Sequence, residues 1–220
     1  MKNMIILLIM VLLIPFASKA QWRAGVTGGA AYNVFSMDKQ YMTDLQVDGC
    51  WGATMGVSVQ YDIYTWLALR TDLNITQKNY RKYRVILSSV DYWYQNDYLQ
   101  LPVMASFSFG GQRVRGFCNL GVYGGYWLHG YKGGSDFDSF RGHEVSVSED
   151  VRFNPVTDQR WDFGFLGGIG MEYKIAYRWA ARAEALCYYS TVSTTLQYMR
   201  VKDYRYNTTA AFQLGACYLF

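Results

Sequence analysis

From residue 22 onward, apolar residues alternate with polar or small ones in eight segments, near 22–34, 50–62, 66–78, 97–109, 114–128, 161–173, 178–190 and 204–220. A period of two marks a strand whose two faces meet different surroundings. In the last segment Phe212, Leu214, Ala216, Tyr218 and Phe220 share one face, and Gln213, Gly215 and Cys217 share the other; Leu219 breaks the pattern. Terminal residues usually fray. A strand that ends on an aromatic needs a paired edge and a covered apolar face.

The connections alternate as well. Ile63-Tyr64-Thr65, Gly110 to Arg113 and Lys174 to Tyr177 are short, whereas 35–49, 79–96, 129–160 and 191–203 are long. Short turns at one rim and long loops at the other, over an even number of antiparallel strands, is the layout of an outer-membrane barrel. The pattern predicts an all-β fold, an eight-stranded antiparallel transmembrane β-barrel.

The opposite of the apolar face holds Gly25, Thr27, Gly29, Thr54, Gly56, Ser58, Asn74, Gly164, Gly168 and Gln213. A water-facing strand surface would be rich in Lys and Glu. Here mid-strand lysine is absent and glycine abundant, which suits a narrow lumen where backbones crowd. An eight-stranded barrel has room inside only for its own side chains. The small, polar face is therefore expected inside and the apolar face against lipid. Trp22, Trp66 and Trp179 fall at short-turn ends, and Trp51, Trp93, Trp127 and Trp161 at or beyond long-loop ends. Indole prefers the headgroup zone, so two aromatic belts are expected, with Trp127 turned inward by its parity.

Composition sharpens this reading. Aromatics make up 18%, with 20 Tyr and 7 Trp, against 3 Pro and 21 Gly. The chain opens Met1-Lys2, runs uncharged from Met4 to Phe16 and continues Ser18-Lys19-Ala20. That is the form of a signal peptide cut before Gln21, giving residues 1–20 as signal and 21–220 as barrel domain. The apolar run is too short to span a bilayer as a helix. The net charge of +4 becomes +2 once Lys2 and Lys19 leave, with no basic cluster suited to nucleic acid. Cys50, Cys118, Cys187 and Cys217 match no zinc spacing. Parity puts Cys187 toward lipid and Cys217 in the lumen, so all four are expected free.

The segment Tyr98-Leu99-Gln100-Leu101-Pro102-Val103-Met104-Ala105-Ser106-Phe107-Ser108-Phe109 resembles the Tyr-Leu-x-Ile/Leu-Pro strand of the outer-membrane β-barrel domain family that includes PorT-type and OmpA-like barrels. Phe163 to Tyr173 is similar to that family's Gly-rich sixth strand. The resemblance implies an eight-stranded barrel in the outer membrane of a Gram-negative-type bacterium. It implies accessory work in secretion for some members, and no catalytic residues. The terminal Phe212, Leu214, Tyr218 and Phe220 resemble the strand by which the barrel assembly machinery recognises its clients.

Five charges, Arg70, Asp72, Glu172, Arg182 and Glu184, fall on the inward face. Bare charges in a dry lumen are costly unless paired. With the 174–177 turn centred near Tyr177, Glu172 stands opposite Arg182, and Glu184 is a further candidate partner for Arg182. A structural network plugging the lumen is expected; an ion or proton path is the other reading. A lipid-modifying barrel enzyme would need a His beside a Ser or Asp at the outer rim. Ser135, Asp136, Ser139 and His143 supply the types without a spacing that joins them. Asp136-Phe137-Asp138 lacks the further ligands of a calcium loop. The expectation is a monomer with outer-membrane lipid around it, no cofactor, metal or catalysis. Partners would bind at 35–49, 79–96 and 129–160, where Val145-Ser146-Val147-Ser148 alternates as a hairpin would. A small-solute porin is the transport alternative.

Overall fold

The computed structural model describes residues 21–37, 44–86, 90–111, 113–138, 142–154, 156–195 and 205–220; the expected signal peptide lies outside them. Ten strands run in chain order: β1 (Gln21–Met37), β2 (Leu45–Asp62), β3 (Leu67–Gln77), β4 (Tyr80–Arg84), β5 (Asp91–Gly110), β6 (Val114–Asp138), β7 (His143–Asp150), β8 (Trp161–Lys174), β9 (Trp179–Ser190) and β10 (Arg205–Leu219). Every pairing is antiparallel. β1, β2, β3, β5, β6, β8, β9 and β10 each pair with the next, and β10 returns to β1. The sheet thus closes into the expected eight-membered ring, which removes its edges.

The two additional strands lie beyond the ring. β4 continues the path of β3, pairing β2 at Leu45–Gly49 and β5 at Asp91–Tyr94. β7 folds back on the far half of β6, from Tyr131↔Asp150 to Asp138↔His143. Most of 79–96 and 129–160 is therefore strand, not loop. At the same level the ladder is interrupted twice. Between β3 and β4 the Asn79 side chain donates to Trp51 O (2.9 Å) and accepts from Asn96 N (3.3 Å), and Lys78 N donates to Asn96 O (2.8 Å). Across β5–β6 the register slips between Asp97 and Tyr98, leaving Leu128 unpaired. Such bulges re-aim the strand, and here they separate the membrane barrel from an extracellular sheet.

The faces are as the alternation predicts. Val26, Met55, Val57, Leu101, Phe165 and Ile169 are exposed on the outer wall, while Asn33, Arg70, Asn74, Gln100, Asn119 and Thr209 are buried within. Tyr61 departs from this: it belongs to the outer face yet is only 7% exposed, packed 4.9 Å from the Trp22 ring. Glycine is needed where walls approach closely. A Cβ on Gly29 would stand 1.9 Å from the Phe212 carbonyl oxygen, and one on Gly56 2.0 Å from Asn74 Oδ1. Six tryptophans, at 22, 51, 66, 93, 161 and 179, are exposed. Trp93 is a correction to the belt: it stands on β5 above the bulge, where it packs 5.1 Å from Tyr131, about 20 Å along the strand beyond Leu99. Trp127 turns inward, stacked on Tyr98.

Candidate functional site

The lumen is filled by side chains in layers. At the short-turn end, Arg23 donates to Glu172 Oε1 (2.6 Å) and Asp62 Oδ2 (2.8 Å). Arg182 donates to Glu172 Oε2 (3.2 Å) and Gln60 Oε1 (2.8 Å), and Gln60 Nε2 donates to Asp62 Oδ1 (2.8 Å). This ring of contacts draws on β1, β2, β8 and β9. Above it, Arg70 spans the bore. Its Nε and Nη2 bond to both oxygens of Asp72 at 2.8 Å, and Nη1 and Nη2 to those of Glu184 at 2.6 and 2.7 Å. Asn119 Nδ2 adds a longer bond to Glu184, 3.4 Å.

A mostly apolar layer follows: Ala31, Met104, Tyr123, Leu166, Leu186, Tyr188 and Ala211 pack together. Beyond it, Lys78 Nζ meets Asp162 Oδ2 at 2.5 Å, lies 4.9 and 5.2 Å from the Tyr98 and Tyr123 ring centres, and is fully buried. Ser190 Oγ donates to Asp162 Oδ1 (2.5 Å). Glu172 and Glu184 thereby each face a cation from another strand, Asp162 faces Lys78 from just past β3, and Asp72 faces Arg70 of its own strand, as burial requires.

All five expected charges are brought inside, with one change of partner. Glu172 does stand opposite Arg182. Glu184 belongs to Arg70, because the tilt of the staves carries the Arg70 side chain across to β9. Sequence reasoning missed Arg23, Asp62, Lys78 and Asp162. Lys78 is a lysine of the interior that lies just past the end of β3, so among the described residues mid-strand lysine is still absent there. Each extends an inward parity by one more step: Lys78 follows Asn74 and Thr76, and Asp162 precedes Gly164.

The extracellular sheet has a different character. Phe35, Tyr80 and Tyr94 form a stack with centroids 4.3 and 4.6 Å apart. Lys132 lies over Tyr92 at 4.1 Å. Arg81 pairs with Asp91, and Arg84 Nε donates to Asp44 at 2.8 Å. These guanidinium partners hold the carboxyls of Asp91 and Asp44 below their ordinary range. Among the described residues β7 pairs with β6 alone, so its other side is an open edge there, and its residues are mostly exposed. Ser135 lies on the opposite face of the β6–β7 hairpin from His143, whose register partner is Asp138; Ser139 lies outside the described residues. Asp136 Oδ1 accepts the Phe137 amide.

The terminal strand closes the ring. Phe212, Leu214 and Phe220 face outward and are exposed, and Tyr218 packs 5.2 Å from Trp179. Phe220 N donates to Trp22 O (3.0 Å) at the seam. All four cysteines are free, with Cys187 exposed and Cys217 buried.

The model of the outer membrane protein beta-barrel domain family matches residues 16–185. Among solved structures the chain is similar to the outer membrane protein OprG from Pseudomonas aeruginosa, at 12% identity over 90% of this chain and 95% of that one, TM-score 0.53. It is also similar to the outer membrane protease OmpT from Escherichia coli, at 10% identity over 91% and 97%, TM-score 0.53. Neisserial surface protein A has 13% identity over 90% and 97%, TM-score 0.47. A search of curated proteins finds no match. Identities this low speak to fold alone.

Proposed function

We propose a role for this chain from one premise: it belongs to the outer membrane protein β-barrel domain family. It is an outer-membrane β-barrel protein, set in the lipid of a Gram-negative-type outer membrane. Its working part is the extracellular sheet, and it acts as a scaffold or docking protein, of the kind a secretion apparatus uses as an accessory. The observation that carries this reading is the β7 edge. His143–Asp150 offers an eight-residue strand that, among the described residues, is bonded on one side, with Val145 and Val147 on one face. An open edge is a template for a further strand, with main-chain bonds giving affinity and side-chain pockets giving selectivity. The lumen serves as a plug and the five expected charges are structural. Residues 1–20 act as a cleaved signal, and Phe212, Leu214, Tyr218 and Phe220 as the assembly signal of a monomer.

Val145→Lys with Val147→Lys tests the edge. Inward charges guard edges against pairing. Pull-down of partners from native membranes should be lost while the unheated protein still migrates as a folded barrel. Unchanged capture would overturn the docking role. The porin reading makes a separate demand. Reconstituted in planar bilayers the protein should carry no steady current, because Arg70, Met104, Tyr123 and Leu186 fill the bore; reproducible channels would restore transport.

A further inference from the structure

The outer wall of the barrel is uneven. On β2 and β3 its exposed side chains are large, among them Met55, Val57, Leu69 and Leu73. On β9, between the exposed Trp179 and Tyr189, the outward side chains are small: Ala181, Ala183, Ala185 and Cys187, with Ala181 and Ala185 half-buried between their neighbours. Register sets Ile169 and Met171 of β8 beside Ala185 and Ala183 on one side, and Phe212 and Leu214 of β10 on the other. The result is an open apolar groove of about 810 Å3. The groove is centred on Ala183 and Ala185; the row of small side chains continues past it in both directions, and from Ala181 to Cys187 rises about 20 Å along the strand. A strand tilt of about 40° turns that into roughly 15 Å of depth, one leaflet of a hydrocarbon core about 30 Å thick.

The foot of this groove is charged. Trp179 and Tyr218 are register partners there, and Arg178 Nη1 donates to the Tyr218 hydroxyl at 3.0 Å. Lys174 N donates to Arg113 O at 2.9 Å, which ties the β8–β9 turn to the β5–β6 turn. Arg113, Lys174 and Arg178 are all exposed, and neither turn carries a carboxylate. The β2–β3 turn, Ile63-Tyr64-Thr65-Trp66, has no charge. Short turns face the periplasm in such barrels, so the cations gather at the phosphate level of the inner leaflet on the same side as the groove. Indole and phenol at that level mark the headgroup zone.

We propose that this face holds an anionic glycerophospholipid of the periplasmic leaflet, its phosphate against Arg178, Lys174 and Arg113 and one acyl chain along the β9 groove. The charge selects the headgroup; the depth spanned by the row of small side chains fits a chain of a single leaflet. The proposal rests on the outer-membrane placement and is independent of the β7 edge, whose test does not touch these residues.

The folded protein in detergent is given phosphatidylglycerol or phosphatidylcholine of equal chain length, and retained lipid is counted by native mass spectrometry. Wild type should retain phosphatidylglycerol in preference. Lys174→Gln with Arg178→Gln should weaken that retention roughly 25-fold, since each cation beside an anionic surface contributes about fivefold. Ala183→Leu with Ala185→Leu should fill the groove and release both lipids, while mobility of the unheated protein shows that the barrel persists. Equal retention of the two lipids by wild type, or unchanged retention in either variant, overturns the proposal. So does full competition by glycerol phosphate, which would mark a free-anion site, or a dimer in place of bound lipid, which would mark a second copy as the occupant.

Discussion

Inside the barrel Arg70 meets Glu184 across 114 residues of chain, and both side chains are buried. In the extracellular sheet Arg81 meets Asp91 across 10 residues, and both are open to water. The bonds are alike in chemistry and unlike in consequence. A buried guanidinium withdrawn from two carboxylates leaves charge with no solvent to receive it. An exposed pair gains little, because water and salt screen it. The Arg70–Glu184 pair thus ties distant staves together, whereas the Arg81–Asp91 pair joins neighbouring strands.

The contrast is broken most directly at Arg70. Arg70→Ala should destabilise the folded barrel by about 3–5 kcal/mol, because Asp72 and Glu184 stay buried without their cation. Urea unfolding in detergent micelles measures it. Adding Asp72→Leu and Glu184→Leu to Arg70→Met should recover most of the loss, since an apolar replacement of the whole cluster is often neutral. If the triple variant is as weak as the single one, the cluster contributes attraction and not merely compensation.

Lys78→Met should cost less, about 2–3 kcal/mol by the same assay, because Asp162 keeps the Ser190 and Tyr123 hydroxyls as donors. Arg81→Ala should cost at most about 1 kcal/mol. The outer pairs also carry a pH signature. Asp91 and Asp44 have folded values below the ordinary 3.8, through bonds to Arg81 and Arg84. Their contribution is complete above the unfolded value and fades as pH falls below it through the depressed one. Hydrogen exchange in 80–84 and 91–94 should therefore quicken below about pH 4 while the membrane strands stay protected; equal loosening of both would erase the distinction.

The ring was legible because each membrane strand separates lipid from a packed lumen, so period two is enforced residue by residue. The sheet above was not, because its faces are not sorted between lipid and lumen: residues on both faces of β4 and of the outer part of β5 are mostly half-buried, and those of β7 mostly exposed. Tyr92-Trp93-Tyr94 shows three aromatics in a row where alternation would have announced a strand. Val145 to Ser148 did alternate, and that hairpin was foreseen. The inward set Arg70, Asp72, Glu172, Arg182 and Glu184 followed from parity alone. The pairing of Arg70 with Glu184 did not, because partners across a bore depend on strand tilt and stagger, which adjacent-strand register does not encode. Lys78 closes the alternating segment 66–78 but lies one residue past the end of β3, where the ladder is interrupted and the Asn79 side chain bonds to Trp51 O and Asn96 N; a lysine at a strand end reads from sequence as a solvated rim residue.

The seam between β1 and β10 also sets an order in time. Neighbouring strands such as β2–β3 and β8–β9 join across turns of a few residues and close quickly. The seam joins Asn33 to Asn207, 174 positions apart, and contacts so distant in the chain are slow to find. Until they zip, Arg23 has no wall of β10 beside it and its bond to Glu172, 149 positions away, has nothing to hold it. Contacts that cross the seam or the bore, such as Arg23 to Glu172, are therefore expected to form after those between strands joined by short turns, such as Arg182 to Glu172. An unfinished barrel is an open sheet with its charges still wet, and such a sheet has every reason to remain at the membrane surface rather than sink into it.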